Sequence, residues 1–277
     1  MALLRLDCIM SPQYRTGAPC WLDLGTHDLD GSLDFYRELF GWEFNDLGAE
    51  MNHYHLITSD GSTVGGLMDV SGMTCPEGGE IPTRFDVYLH TDDLAATVAK
   101  ARERGTVYID NDQIGDAGSM SVMADPSGAS LSAWQPNQMT GFELPLTHGT
   151  PVWFECRSTD FDASADFYRE VFDWSVVEMD RMPEGSTPRY ATNGSVTGTL
   201  PDGTQCEAVC GLVDAAAMPP EFQESTWSIF FGSKDLDASL ETANRLGATT
   251  GEIGQSPFGR FCQVTDPQGA AFMLNEL

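Results

Sequence analysis

The stretch CWLDLGTHDLDGSLDFYRELFGW (Cys20–Trp42) returns without a gap as VWFECRSTDFDASADFYREVFDW (Val152–Trp174). Trp21 aligns with Trp153, Asp28 with Asp160, Ser32 with Ser164, and Phe35-Tyr36-Arg37-Glu38 with Phe167-Tyr168-Arg169-Glu170. An internal repeat of this kind constrains a fold more than composition does. It divides the chain of 277 residues into two similar halves. Each copy alternates apolar and polar residues at period two, as a strand does, and then carries an apolar stripe at helical spacing. Asp28 or Asp30 can cap the first helix, Leu33, Tyr36, Leu39 and Phe40 form its stripe, and Gly41 ends it.

A second unit follows in each half. Arg84–His90 (RFDVYLH) alternates as a strand before a helix over 92–105, with strands near 106–109, 120–123 and 129–134. Thr226–Ser233 (TWSIFFGS) plays the same part before a helix over 234–247 and a strand region over 259–274. Asp125-Pro126-Ser127-Gly128 and Asp266-Pro267-Gln268-Gly269 are matching hairpin turns. The pattern predicts an α+β fold of four βαβββ modules in two pairs. Residues 1–18 read as a leader, 19–138 as the first domain, 139–149 as a linker and 150–277 as the second domain.

The four first strands share an apolar side, Cys20/Leu22/Leu24, Phe85/Val87/Leu89, Val152/Phe154/Cys156 and Trp227/Ile229/Phe231, expected to pack on the helices. The other side is mixed: Trp21/Asp23, Asp86/Tyr88/His90, Trp153/Glu155/Arg157 and Ser228/Phe230. A curled sheet would make that second side a cleft, where ligands bind.

These motifs, with VYLHTDDLAATVAKARERG and MADPSGASLSAW, resemble the vicinal oxygen chelate superfamily of glyoxalase I, bleomycin-resistance proteins and extradiol dioxygenases. More narrowly, the chain is similar to the tandem branch related to lactoylglutathione lyase. The resemblance implies curled mixed sheets around clefts and, usually, a divalent metal that chelates two substrate oxygens. It places first-strand ligands seven residues before the helix-start Asp, where this chain has Trp21, Asp86, Trp153 and Ser228. It places last-strand ligands seven residues after the turn Asp, where Ser132 and Met273 stand. Segments 64–69 (VGGLMD) and 209–214 (VCGLVD) offer no aligned glutamate. An indole donates only through N–H and a thioether is a weak acceptor, so no metal and no cofactor are expected.

Two readings of the cleft stay open. In the first, Trp21 and Trp153 are platforms for a small organic ligand, with Asp86, Tyr88, Ser132, Arg157, Ser228, Phe230 and Met273 around them, as resemblance to bleomycin-resistance proteins suggests. The same indoles could instead fill space. In the second, the chain is an enzyme, a lyase, isomerase or oxygenase-like protein, using Asp23, Glu155 or His90 for proton transfer. Those carboxylates could equally serve in ion pairs. His53 and His55 flank Tyr54 on one strand face, but the second half has Arg189-Tyr190-Ala191 there, which favours exposed strand residues over a metal site.

The formal charge of −28 and only two lysines argue against nucleic acid or anionic membrane as partners. The seven cysteines include no CxxC pair, and Cys206 and Cys210 have no partner ligands nearby for zinc. Reduced thiols and a cytoplasmic location are expected. Tandem duplication can replace a homodimer of single-domain proteins, so a monomer or weak homodimer is expected.

Overall fold

The computed structural model describes residues 15–75, 78–142, 146–179, 188–194, 208–256 and 259–277. The first half runs β1 (Pro19–Thr26), α1 (Leu29–Phe40), β2 (Glu43–Asp46), β3 (His55–Ser59), β4 (Ser62–Asp69), β5 (Arg84–His90), α2 (Leu94–Arg104), β6 (Thr106–Ile114), β7 (Gly118–Ala124) and β8 (Ser130–Pro136). The second runs β9 (Pro151–Ser158), α3 (Phe161–Phe172), β10 (Val177–Glu178), β11 (Tyr190–Thr192), β12 (Cys210–Asp214), β13 (Thr226–Ser233), α4 (Leu236–Arg245), β14 (Thr249–Thr250), β15 (Gly254–Ser256), β16 (Gly259–Thr265) and β17 (Ala271–Glu276).

Each half builds one open mixed sheet. The orders are β2-β3-β4-β1-β5-β8-β7-β6 and β10-β11-β12-β9-β13-β17-β16-β14, with β15 also on β16. Consecutive modules therefore pair through their first strands: β1 lies antiparallel to β5, and β9 to β13. Each first strand is flanked on its other side by the parallel last strand of its own module, as β4 on β1 and β17 on β13. In the fourth module the strand after the helix is split into β14 and β15, which pair at separate places along β16.

The same local device starts all four helices. Asp28, Asp93, Asp160 and Asp235 each accept a backbone N–H three residues on, at 3.0–3.2 Å. A hydroxyl residue at or just past the end of each first strand meets a hydroxyl in the following helix, Thr26 with Ser32, Thr91 with Thr97, Ser158 with Ser164 and Ser233 with Ser239, at 2.7–2.8 Å. These pairs tie strand end to helix start where polar groups would otherwise be buried alone. Gly41 ends α1 in the left-handed region at φ 71°, and Asp173 takes the same left-handed cap on α3 at φ 54°.

The apolar sides pack on more than the helices. Phe85 on β5 meets Phe231 on β13 at 5.4 Å between ring centres, and Tyr36 on α1 reaches Phe272 on β17 at 6.0 Å. Helix α1 lies against α4 and α2 against α3. The two halves thus share one core. Its polar ties repeat as well: Tyr36 donates to Asp266 at 2.8 Å, and Ser164 donates to Asp125 at 2.7 Å. Trp42 donates to the Gly149 carbonyl and Trp174 to the Gly17 carbonyl.

This shared core draws in the flanking chain. Gly17 and Ala18, read as leader, bond to the end of β5 at His90. Phe142, read as linker, is buried, donates its N–H to the Cys20 carbonyl and stacks on Phe154. Cys20, Cys156 and Cys210 are free thiols buried on the core side, whereas Cys206 lies outside the described residues. Among the described residues no helix is long and apolar enough to cross a membrane.

Candidate functional site: two outward clefts of unequal closure

Because the apolar faces share the core, the mixed faces turn the other way, one in each half. In the first half the mixed face is closed around Trp21 and Asp23. Trp21 is 3% exposed, Asp23 8% and Tyr88 8%. Asp23 accepts from the Tyr54 hydroxyl at 2.5 Å, the Tyr88 hydroxyl at 2.7 Å and the Trp21 indole N–H at 3.0 Å. Burial lifts the Asp23 carboxyl above its ordinary range, while the Tyr54, Tyr88 and Trp21 donors pull it back down. Asp86 stands directly across from Asp23 on β5 and pairs with Arg84 at 2.9 Å. Burial also raises Asp86, with Arg84 opposing and Asp23 adding to the rise. Ser132, beside Tyr88 on β8, is buried too.

Trp21 is therefore no open platform. The expectation of an accessible indole in this half is corrected by Tyr54 and Tyr88, which close over Asp23 and leave the ring packed as core. His90 lies at the end of β5, four residues beyond Asp86, or roughly 14 Å along a strand. It is buried, its Nε2 is 3.8 Å from Asp92, and burial lowers its pKa. The structure does not bring it together with Asp23.

In the second half the same register holds different side chains. Glu155 takes the place of Asp23, with Ser228 across from it where the first half has Asp86. Phe230 stands across from Trp153 where Tyr88 stands across from Trp21. Trp153 donates to the Tyr190 hydroxyl at 2.8 Å, and Tyr190 hydrogen-bonds Glu155. Phe230 has no hydroxyl, so Glu155 lacks the second tyrosine donor that Asp23 has. Burial pushes the Glu155 carboxyl up to about 7, with Tyr190 and Arg157 drawing it back only in part. Trp153, Glu155, Arg157, Tyr190, Phe230 and Met273 are all half-buried, so this mixed face is the more open one.

Its floor has a direction. At one end Trp153 and Phe230 are neighbours, Met273 lies beside Phe230, and Phe261 meets Phe230 edge-on at 6.4 Å. At the other end Arg157 lies across from Thr226, with its guanidinium 5.8 Å from the centre of the Phe222 ring. Glu155 and Ser228 sit between.

Tyr54 and Tyr190 were not singled out from the sequence, nor were the glycines that admit them. Gly66 lies beside Asp23 and Gly211 beside Glu155. A Cβ at Gly66 would sit 1.7 Å from the Tyr54 hydroxyl, and one at Gly211 would sit 2.1 Å from the Tyr190 hydroxyl. The signal was present: the tyrosine repeats between His53-Tyr54-His55 and Arg189-Tyr190-Ala191, and the glycine between VGGLMD and VCGLVD. The flanking histidines do not share a strand face. His53 sits in a turn at φ 54° and pairs with Asp46 at 2.9 Å, whereas His55 is buried at the start of β3.

A glyoxalase-like domain model matches residues 21–133 and again 153–275. The chain belongs to the glyoxalase-like domain family. Among curated relatives, the "Putative glyoxylase CFP32" of Mycobacterium bovis is 31% identical over 270 residues, covering 95% of both chains. The anthracycline biosynthesis protein DnrV of Streptomyces peucetius is 31% identical over 287 aligned positions, covering 96% of this chain and 95% of its own. Among solved structures, the Mn(II)-bound glyoxalase of Novosphingobium aromaticivorans superposes with a TM-score of 0.60 at 16% identity, covering 95% of this chain and 82% of that one. The dioxygenase LapB of Pseudomonas sp. KL28 gives 0.57 at 13% identity, covering 95% and 93%. This glyoxalase-like chain thus has the fold of the vicinal oxygen chelate superfamily.

The superfamily's metal does not fit these side chains. Trp21 and Trp153 point indole donors into the places of ligands, and both donors are already used. Asp86 is engaged by Arg84. Ser132, Ser228 and Met273 supply a hydroxyl or a thioether, which are poor ligands for a hard divalent ion. Among the described residues no group of three or more His, Cys, Asp and Glu is placed to hold a metal.

Proposed function

We propose that this glyoxalase-like protein binds a small, planar organic molecule in the cleft of its second half, without a metal ion. The observation that carries this reading is the half-buried Trp153, held by Tyr190 at 2.8 Å in a place where the superfamily usually puts a metal ligand. An indole fixed by its N–H offers its faces to a flat ring. Phe230, Phe261 and Met273 extend the apolar wall, and Glu155 with Ser228 supplies polar groups that fix orientation. The name of DnrV ties that relative to anthracycline biosynthesis. Anthracyclines are polycyclic aromatics, which supports a planar ligand here. The partner is this small molecule rather than nucleic acid or membrane, and the shared core suits a chain that works as a monomer or weak homodimer.

One observation favours a second reading. A carboxyl with a pKa of about 7 and a tyrosine partner is suited to proton transfer near neutral pH. In that reading the chain is a lyase or isomerase with Glu155 as its acid–base group, which agrees with the naming of CFP32.

Thermal shift against a metabolite library, with and without added divalent metals, separates the readings. Stabilisation by an aromatic compound alone is the expected result. Stabilisation that requires metal would overturn the proposal.

A further inference from the structure

From the polar end of the second cleft, and resting on the reading that this cleft holds a planar molecule, we infer that the ligand carries a carboxylate which pairs with Arg157. Along β9 the cleft-facing residues run Trp153, Glu155 and Arg157. The first half has Asp23 where Glu155 stands and Gly25 where Arg157 stands; its guanidinium at that end is Arg84, across from Gly25 and paired with Asp86 at 2.9 Å, whereas Arg157 lies across from Thr226.

Arg157 is half-buried, and its Nε is sealed from solvent without a hydrogen-bond partner. Its described contact is the face of Phe222 at 5.8 Å. Glu155 and Glu224 act on it through space, and burial lowers its pKa in spite of them. A half-buried guanidinium without an acceptor carries a desolvation cost. Its sealed Nε is out of reach, so an acceptor brought by a ligand would meet the Nη groups at the tip, and a carboxylate matches their paired N–H groups best. Thr226 lies across from Arg157, and Ser228 lies one cleft-facing place nearer Trp153, so hydroxyls flank the same spot.

The spacing sets the size of the rest. Trp153 and Arg157 are four residues apart on one strand, roughly 14 Å between Cα positions. An indole fills one end and a long guanidinium side chain the other. The span between them suits two or three fused rings with the acid group at one edge. A ring laid on Trp153 and Phe230 would then point its carboxylate past Glu155 and Ser228 toward Arg157.

Matched naphthalene probes test this by calorimetric titration of the full chain. Naphthoate should bind about tenfold or more tighter than naphthamide, the difference expected of a charge-assisted pair. Naphthylmethylammonium should bind more weakly than either. Arg157→Gln should erase the preference for naphthoate over naphthamide, while Arg157→Lys should restore part of it. A preference that survives Arg157→Gln, or tightest binding by naphthylmethylammonium, would overturn the carboxylate assignment. Naphthamide affinity lost in Trp153→Ala would still uphold the planar cleft. Failure of all three probes to bind would overturn both.

Discussion

The Trp153 indole N–H donates to the Tyr190 hydroxyl at 2.8 Å, and the Trp21 indole N–H meets the Tyr54 hydroxyl at 3.0 Å. The repeat thus preserves an indole–tyrosine contact in both halves, while the surroundings make one half closed and the other open. The difference arises across the strand pair, where Tyr88 faces Trp21 but Phe230 faces Trp153.

The two tryptophans should respond differently to truncation. Trp21 is 3% exposed, so Trp21→Ala should cost about 3–5 kcal/mol, as for large core aromatics. Trp153→Ala should cost less and should abolish stabilisation by an aromatic ligand. Urea denaturation with and without ligand measures both effects. Equal stability losses would contradict the assignment of a closed and an open cleft.

Tyr88→Phe gives the first half the side chain of the second. It removes one donor to Asp23 and leaves that carboxylate with Tyr54 and Trp21. The loss should be about 1–2 kcal/mol. Asp23→Ala should cost more, because it takes the shared acceptor from Tyr54, Tyr88 and Trp21 together. Chemical denaturation orders the two variants, and the reverse order would contradict the network.

Gly66 and Gly211 should not tolerate alanine. The new Cβ would overlap the tyrosine hydroxyl in each half, so Gly211→Ala should displace Tyr190 from Glu155 and cost about 1–3 kcal/mol. Near-ultraviolet circular dichroism and ligand titration report the displacement. Unchanged affinity would show that the Tyr190 position does not shape the cleft.

Stability should fall as pH rises from about 4.3 toward 7. Glu155 has a folded pKa of about 7, above the value of about 4.3 for a free glutamate. Between those values the folded state holds a proton that the unfolded state releases. Its favourable contribution is complete below the unfolded value and is lost as pH rises to the folded one, by at most about 4 kcal/mol. Asp23, Asp86 and Asp266 are raised as well and act in the same direction. The Glu155 share is therefore the difference between wild type and Glu155→Gln. Melting curves across this range should show a shallower decline for the variant, and parallel declines would contradict the raised pKa.

Much of the fold was legible because the repeat is local. Each helix start combines a capping Asp with a strand-end hydroxyl, and both are set by residues near in sequence. The strands Arg84–His90 and Thr226–Ser233 follow from period-two alternation alone. Sharing of one core between the halves was not legible, because contacts such as Phe85 with Phe231 join residues far apart in the chain. The closure of the first cleft was hidden for the same reason. Tyr54 reaches Asp23 only because β4 places Gly66 beside it, and strand alternation says nothing of a neighbour on another strand.

The most direct test of the account is calorimetric titration of naphthoate into chelator-treated full-length protein. The account predicts a single binding event per chain, unaffected by the chelator and lost in Trp153→Ala. Binding that appears only when a divalent metal is restored, or that persists in Trp153→Ala, would contradict it.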